Sequence, residues 1–481
     1  MLLVHSHHIY SKKMSKLIIS LILICGISIQ ADAEVSVDSV LNRLQEVGLP
    51  VVQIETVDGI EPTYEIADPP EGCLGGSIRN ASKELGRIVV MDKTGIIYDS
   101  GNYVKDESGM TVRVRGNWSA RRPKKPYRIK LQKKADLLVR GDERYSDKKW
   151  LLLPFFDLNE LIGLKVNELM ALQWTPRFRY VNLIFNGDFR GLYMLMEPVS
   201  RNVDCRLNVD KESGYIMELD AYWWNESEYV PSSFELPLNY TFKYPDEDKL
   251  TKDQKDYIGQ VFQEAEKACL DSTGTYENII DVESFARWML AHDILGNTDG
   301  AGSNIFLTKY DSSKQSLLKM ACLWDYEVIM QSEEWDNLHN RYFFGRLFNN
   351  SDCTFKKTYV ELWNQNKHRV FDELLSFIDS WFKSDLRYAV DLSIELNNDR
   401  WARYMYTLPL SATFVNEAKT YFNKRKPWLD KAINGISMSC LQEVNASDSC
   451  ADSPCYNLAG QKVNASYKGI VIQNGKKRII H

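Results

Sequence analysis

Residues 124–131, KKPYRIKL, alternate between apolar and basic side chains. Because successive side chains of a strand point to opposite faces, Tyr127, Ile129 and Leu131 are predicted to face a core, whereas Arg128 and Lys130 face away from it. The same period of two recurs upstream in VVQIETV (51–57), RIVVMD (87–92), GIIYDSG (95–101) and TVRVRGN (111–117). Residues from about 49 to 134 are therefore predicted to form a strand-rich region.

The period changes downstream of this region. In KKWLLLPFFDLNELIGLKVNELMALQW (148–174), Asp157 and Glu160 form an Asp-x-x-Glu pattern that predicts a capping box ahead of a helix running to about Gln173. YVNLIFNGDFRGLYMLMEPV (180–199) predicts two strands joined around Asn186-Gly187-Asp188. Residues from about 225 to 249 are acidic and aromatic, and they are predicted to form a long loop or insertion.

Helical spacing dominates the chain from about Thr251 onward. It is present in 257–270 and 282–295, and several amphipathic helices are predicted between about 341 and 432. Two apolar stretches, 304–310 and 318–330, predict strands on either side of a polar turn. The sequence thus predicts an α+β protein with a β-rich N-terminal lobe, about 49–200, and an α-rich C-terminal lobe, about 251–432.

The two ends of the chain indicate export. Basic residues precede an apolar run at 17–29, and Ala31-Asp32-Ala33 follows it, which predicts a signal peptide over residues 1–33. A lipoprotein signal at Cys25 is disfavoured because bulky Ile24 precedes it. Residues 436–481 are predicted to form a linker and a small β-type module that resembles the C-terminal tails of exported proteins from Bacteroides-type bacteria.

The composition limits the partners and the location. A formal charge of -6 over 481 residues indicates neither nucleic-acid binding nor a polybasic membrane patch. No other stretch is predicted to span a membrane, so we expect a secreted protein in the periplasm or at the cell surface. Eight cysteines remain after signal removal, and their pairing stays open, although Cys450 and Cys455 are spaced to close a small loop.

The stretch NTDGAGSNIF (297–306) carries the strongest indication of chemistry. Phosphoryl transfer needs metal ions and a cation on the phosphates, together with a carboxylate that orients the attacking hydroxyl. Protein kinases place a catalytic Asp five positions before a metal-binding Asn, and a metal-binding Asp follows. Here Asp299, Asn304 and Asp325 occur in that order and spacing. As an alternative, Asp299 and Asn304 are ordinary turn residues.

Five ordered motifs strengthen this interpretation. They are VRVRGNWSARRPKKPYRIKL (112–131), KKWLLLPFFDLNELIGLKVNELM (148–170), YVNLIFNGDFRGLYMLMEPV (180–199), DILGNTDGAGSNIFL (293–307) and CLWDYEV (322–328). The chain resembles the spore coat protein H (CotH) kinase family over roughly residues 49–432. The resemblance implies a divergent protein-kinase-like two-lobe fold within a domain of residues 34–435, using ATP and Mg²⁺ or Mn²⁺.

The resemblance also implies roles for individual residues. Asp299 matches the catalytic Asp, while Asn304 and Asp325 match the metal-binding positions. Glu327 stands where the family has a second Asp, Gly300 where it often has a basic residue, and Trp118 where it has Ser.

The remaining binding residues are assigned by their order in the chain. Lys130 and Arg115 are the candidate phosphate-binding cations, with Lys124 and Lys125 as alternatives to Lys130. Glu168 is the candidate partner of the lysine, although Glu160 shares its helix, and Glu197 is a candidate hinge residue. His292 and the basic cluster of Arg121, Arg122, Lys124 and Lys125 also have plain structural explanations, as a core histidine and a solvated turn.

The predicted function is metal-dependent transfer of the γ-phosphate of ATP to Ser, Thr or another hydroxyl of an exported protein. Two alternatives remain at this point. One is a catalytically weak or inactive surface binding protein, and the other is adenylyl transfer at the same site.

Overall fold

The computed structural model describes residues 43, 44, 46–234, 237–271, 274–300, 303–334, 339, 341–404 and 407–436, together with 442–443, 454–457, 461–464, 467–473 and 476–480. The predicted signal peptide and Cys25 lie outside these residues, as do Cys440 and Cys450. Among the cysteines that are described, Cys73, Cys205, Cys269 and Cys322 are free thiols, and Cys353 is in a disulfide.

Residues 51–196 contain ten strands. In order, β1 to β10 are Val51–Thr56, Glu65–Ile66, Ile78–Arg79, Glu84–Asp92, Gly95–Asp99, Met110–Val114, Tyr127–Ala135, Asp147–Pro154, Phe178–Phe185 and Asp188–Met196. Strands β2 and β3 form a separate two-stranded ladder, and β5 extends the main sheet beside β4.

The main sheet closes into a seven-stranded barrel with the order β1-β9-β10-β8-β7-β6-β4. Strand β1 closes it by pairing antiparallel with β4, Val52 opposite Val90, and parallel with β9, Val52 opposite Leu183. Inward side chains such as Ile129 and Trp150 are fully buried in the barrel core. The predicted orientation of KKPYRIKL is confirmed, since Tyr127, Ile129 and Leu131 lie in that core.

The two-lobe protein-kinase-like fold expected from the sequence is wrong. The N-terminal strands form a closed barrel, and a helix from the predicted C-terminal lobe packs directly on it. The α+β class is right only in the coarse sense that strands and helices are mixed. Barrel closure depends on the β1–β4 and β1–β9 pairings, which join residues far apart in sequence and leave no local pattern.

A second sheet has the order β12-β13-β11-β14-β15. Its strands β11 to β15 are Tyr215–Asp220, Tyr229–Pro231, Asn239–Tyr244, Ile305–Lys309 and Lys319–Met320. The long loop predicted for 225–249 therefore contains two of its strands. The second apolar stretch, predicted as a strand over 318–330, pairs only at Lys319–Met320, and the chain then leaves the sheet.

Seven α-helices are present among the described residues. Helices α1 to α7 are Asn159–Leu169, Lys252–Leu270, Val282–Leu295, Tyr342–Asn349, Thr354–Phe382, Asp385–Trp401 and Ser411–Asn434. Helix α6 packs on the barrel, where Arg400 bonds the Asp188 carboxylate at 2.9 Å and the Trp401 indole donates to the Arg190 carbonyl at 3.0 Å. Within the described part of the chain, no helix combines the length and apolar character needed to cross a bilayer.

The tail has a sheet of its own with the order β16-β20-β19-β17-β18. These strands, β16 to β20, are Gln442–Glu443, Cys455–Asn457, Lys462–Val463, Gly469–Gln473 and Lys476–Ile480.

Two local predictions had different outcomes. The hairpin is confirmed, because β9 and β10 are joined by Asn186 and Gly187, both at positive φ. The capping box is wrong: Leu158 is the N-cap of α1, and no side chain caps the helix. Asp157 instead accepts a hydrogen bond from the Asn159 amide at 2.8 Å, so both predicted capping carboxylates are available to a neighbouring cavity.

Candidate active site

A cavity of about 1340 Å³ opens between the outer face of the barrel and the second sheet. Its walls combine outward side chains of β6, β7 and β8, the start of α1, strands β11 and β13, and the loops around β14 and β15. Five of the residues predicted from the sequence line it, namely Arg115, Asp299, Asn304, Asp325 and Glu327. Lys130, Glu168 and Glu197 are not among the lining residues.

Asn297 holds the loop that carries Asp299. Helix α3 ends at Gly296, whose left-handed backbone turns the chain toward the cavity. The Asn297 carboxamide oxygen then accepts from the amides of Asp299 and Gly300, both at 3.0 Å, and its nitrogen donates to the Asp325 carbonyl at 3.0 Å. One buried side chain thus fixes both acidic segments. Sequence reasoning missed this residue, although the Asn-Thr-Asp-Gly pattern is typical of such a turn.

Asn304 and Asp325 meet in the cavity. The Asn304 carboxamide donates to Asp325 Oδ2 at 3.4 Å, and the Glu327 amide donates to Asp325 Oδ1 at 3.3 Å. Asn304 and Asp325 have left-handed backbones, with φ of 63° and 65°. Such conformations are uncommon outside glycine, are tolerated best by Asn and Asp, and cluster at functional sites.

Burial and mutual repulsion act on the carboxylates of the cavity. Burial raises the pKa of Asp299, and the nearby Glu327 charge adds to the effect. Burial is also the main cause of the raised pKa of Asp325, with Asp299 and Glu327 contributing repulsion and Arg115 opposing it. The charge of Asp299 thus acts on Asp325, as is expected for two carboxylates that line one cavity.

Two further carboxylates, missed as site residues from the sequence, lie beside this pair. Burial raises the pKa of Asp157 to about 6, and burial together with the Asp157 charge raises the pKa of Glu160 well above its usual value. This end of the cavity thus brings together more carboxyl groups than it has cations to pair with them, and their mutual repulsion favours the protonated forms. A bound cation would relieve that repulsion.

The oxygen ligands of the cavity are suited to Mg²⁺ held together with substrate phosphates, rather than to a metal ion enclosed by protein ligands alone. No group of three His, Cys, Asp or Glu side chains within the described ranges has the geometry to enclose a metal ion. Mg²⁺, however, is usually held by one or two carboxylates together with substrate phosphates and water. Asp325 and Asn304, with Asp299 close by, supply oxygen ligands of that kind.

Comparison with known proteins identifies the family. A model of the CotH kinase protein family matches residues 112–429, which span the barrel, the second sheet and most of the helices. The chain belongs to the CotH kinase family. A search of curated proteins found no match. The family resemblance inferred from the five motifs is confirmed, and family membership supports a kinase-like function in general terms.

In this member of the CotH kinase family, Glu327 forms an ion pair with Arg122, which comes from the segment after β6. Arg122 also packs its guanidinium over the Phe156 ring, with the carbon 5.1 Å from the ring centroid. Glu327 remains an oxygen donor in the cavity, but it is shared with a protein cation. The pair joins the barrel side of the cavity to the loop that carries Asp325.

Lys130 lies outside the cavity. It is exposed on the outer face of β7, opposite Thr111 on one side and Lys149 on the other. Lys149 lines the cavity, and its ammonium is paired with Asp246 at 3.0 Å. The structure therefore does not bring the predicted phosphate-binding lysine together with Asp299 and Asp325.

Glu168 and Glu197 take part in other ion pairs. Glu168 lies 3.7 Å from both Lys165 and Arg177 at the protein surface. Glu197 is fully buried, 2.9 Å from Arg140 and 3.8 Å from Arg206. Neither carboxylate forms an ion pair with Lys130.

The basic side chains of residues 121–125 do not form one cluster in the structure, because they contact different parts of the protein. Lys124 is fully buried and donates to the carbonyls of Phe155 and Leu192 and to Asn397 Oδ1 at 3.1, 2.7 and 2.8 Å. Burial lowers its pKa well below the usual value. Lys125 donates to the Tyr64 hydroxyl at 2.9 Å. Lys124 thus attaches helix α6 to the barrel.

Gly300 occupies a position with no room for a side chain. A Cβ atom built there would lie 2.5 Å from Nδ1 of His292, which packs on Trp288 beneath the loop. His292 is a buried core residue, but neither ring nitrogen has a hydrogen-bond partner. Burial lowers its pKa to about 3, so the ring is neutral at neutral pH. The missing basic residue after Asp299 therefore has a steric reason.

We predict that Gly300→Ala lowers the free energy of unfolding by about 1–3 kcal/mol, because the added methyl group must displace the His292 ring or the Asp299 loop. Urea denaturation measures this change. Gly259→Ala in helix α2 is the control, since its new Cβ would meet Val230 at an ordinary 3.6 Å. Equal stability of the Gly300→Ala variant and the native chain would show that the loop adjusts freely.

Proposed function

We propose that this CotH kinase transfers the γ-phosphate of ATP to a Ser or Thr hydroxyl of an exported protein, with Mg²⁺ or Mn²⁺ as the cofactor. The convergence of Asp299, Asn304 and Asp325 on one cavity is the observation that carries the proposal. Membership of a kinase family supports it.

The roles follow from the positions of the side chains. Asp299 orients the attacking hydroxyl and accepts its proton, a role favoured by the burial that raises its pKa. Asp325 and Asn304 would hold the divalent cation, with Glu327 close by. When bound, the cation supplies charge neutralisation to the transferred phosphoryl group.

Arg115 is the predicted phosphate contact that the structure places nearest to this set. It lines the cavity, and the Asp325 charge is among those acting on its guanidinium. Trp118, from the same segment, is exposed at the cavity and lies against Gly76. It offers an aromatic face to a nucleobase.

The acceptor enters on the side of the second sheet in this proposal. Tyr222, Phe242 and Lys243 line the cavity there, and the last two belong to the acidic and aromatic segment of residues 225–249. The signal peptide and tail predicted from the sequence support an acceptor outside the cytoplasm.

Labelled ATP tests the proposed reaction. Purified protein is incubated with Mg²⁺ and γ-labelled or α-labelled ATP, alone and with dephosphorylated casein as a generic acceptor. We predict γ-label in protein and loss of at least ~10²-fold of that rate in Asp299→Asn, because removal of the catalytic carboxylate eliminates general-base assistance. Asp311→Asn, in the turn after β14, is the control and should retain full activity.

Each other outcome points to a different function. Incorporation of α-label would replace phosphoryl transfer by adenylyl transfer. Absence of both labels, with a folded protein, would leave a binding protein and overturn the proposed reaction.

A further inference from the structure

Three arginines on one face of the barrel have no hydrogen-bond or ion-pair partner among the residues that the structure describes. Arg113 and Arg115 project from β6 and its end, and Arg128 projects from β7; all three line the cavity. No hydrogen bond or ion pair joins any of their guanidinium groups to the described residues. This is unusual for half-buried arginines, because guanidinium groups taken out of water are normally paired.

Other arginines in the barrel region are paired. Arg140 bonds Asp136 at 3.0 Å and Glu197 at 2.9 Å, and Arg206 lies 3.2 Å from Asp147. The three cavity arginines therefore do not reflect a general lack of carboxylates in this part of the protein.

The strand register brings two of these charges face to face. Arg113 is the direct cross-strand neighbour of Arg128 in the antiparallel β6–β7 ladder. Like charges directly opposite on a sheet destabilise it. Burial, with repulsion from Arg113 and Arg115, lowers the pKa of Arg128 to about 10. The fold thus retains an unfavourable pair of cations at the wall of the cavity.

Three of the nearby acids are paired with other cations. Asp246 pairs with Lys149 at 3.0 Å, Glu218 pairs with Lys243 at 2.8 Å, and Glu327 pairs with Arg122. Glu226 and Asp246 act on Arg128 only through longer-range attraction. Glu218 and Asp325 act on Arg115 in the same way, so the three guanidinium groups are attracted by acids of the cavity but are hydrogen-bonded to none of them.

The arginines continue directly from the catalytic set. The charge of Asp325 acts on Arg115, and Arg113 and Arg128 lie next to Arg115 along the barrel wall. A chain of phosphates whose terminal group lies at Asp325 would have its inner groups beside these guanidinium groups. Guanidinium groups bind phosphate oxygens through paired hydrogen bonds, which a single lysine does not provide.

We propose that Arg113 and Arg128 join Arg115 to form the site for the non-transferred phosphates of a nucleoside triphosphate, a role that the sequence suggested for Arg115 and Lys130. The inference rests on the proposed function for the identity of the ligand. The presence of an anion site follows from the unpaired arginines alone.

Binding measurements test this site without turnover. Calorimetry with ATP, ADP, AMP, adenosine and inorganic tripolyphosphate is performed in EDTA and again with Mg²⁺. For Arg113→Gln and Arg128→Gln we expect ATP and tripolyphosphate to bind about 10-fold more weakly or worse, with smaller losses for ADP and AMP and none for adenosine. Without ligand, both variants should be as stable as the native chain or more so, because the cationic repulsion is removed.

Two matched variants serve as controls. Lys130→Gln removes the exposed lysine two residues beyond Arg128 on the same strand, and Arg87→Gln removes an arginine of β4 that pairs with Asp99. Both should bind ATP and tripolyphosphate as the native chain does. A loss in Lys130→Gln as large as that in Arg128→Gln would overturn the assignment.

Other outcomes separate this inference from the proposed function. Unchanged nucleotide affinity in the arginine variants, with a raised KM for the protein acceptor, would overturn it in favour of an acidic acceptor. Equal losses for adenosine and ATP would also overturn it. If labelled ATP shows no transfer but tripolyphosphate binding still depends on the arginines, the proposed reaction fails and the anion site stands.

Discussion

Replacing Asp325 by Asn is expected to lower the rate of phosphoryl transfer by at least ~10³-fold, because metal-mediated charge stabilisation is among the larger contributions to this chemistry. Asp325 is the carboxylate that bonds Asn304 and senses both Asp299 and Glu327. Asn is the better replacement than Ala, since the residue has φ of 65° and Asn tolerates this conformation. Single-turnover transfer from γ-labelled ATP measures the rate.

Mn²⁺ binding provides the control for this variant. Asp325→Asn should retain the circular dichroism spectrum and the urea midpoint of the native chain while losing Mn²⁺ affinity in the presence of ATP. Asp325→Ala should lose activity to the same extent but also lose stability, because Ala at a left-handed position is strained. An Asp325→Asn variant that transfers phosphate at the native rate would remove the metal site from this position.

Local sequence patterns predicted the elements of the fold but not its architecture. Alternation fixed which side chains of β7 face the core, and Asn186-Gly187 marked the hairpin. Neither pattern contains the information that β1 pairs with both β4 and β9. The family resemblance suggested two lobes, whereas helix α6 packs on the barrel and strand β14 pairs with β11, which lies between the predicted lobes.

The candidate site could be predicted where its residues share one loop. Asp299 and Asn304 are five positions apart, so their order and spacing were visible, and Asp325 follows from the next motif. The phosphate-binding cation was harder to predict, because Arg128 and Lys130 lie on the same outward face of β7. Only their positions relative to the second sheet distinguish them, since Arg128 lines the cavity beside that sheet and Lys130 is exposed. Glu160 and Glu168 pose the same problem on helix α1: they are two turns apart, and only Glu160 reaches the cavity.

Glu197 was a candidate hinge residue from the sequence, and the structure places it in a buried ion pair. We expect Glu197→Ala to lower the free energy of unfolding by about 1–3 kcal/mol, because Arg206, which is fully buried, and Arg140 lose a shared carboxylate but keep Asp147 and Asp136 as partners. Urea denaturation measures the loss as a lower midpoint at an unchanged slope. Glu168→Ala is the matched control: its exposed ion pairs should contribute less than about 1 kcal/mol. A Glu197→Ala variant with native stability but weakened ATP binding would instead return this residue to the nucleotide site.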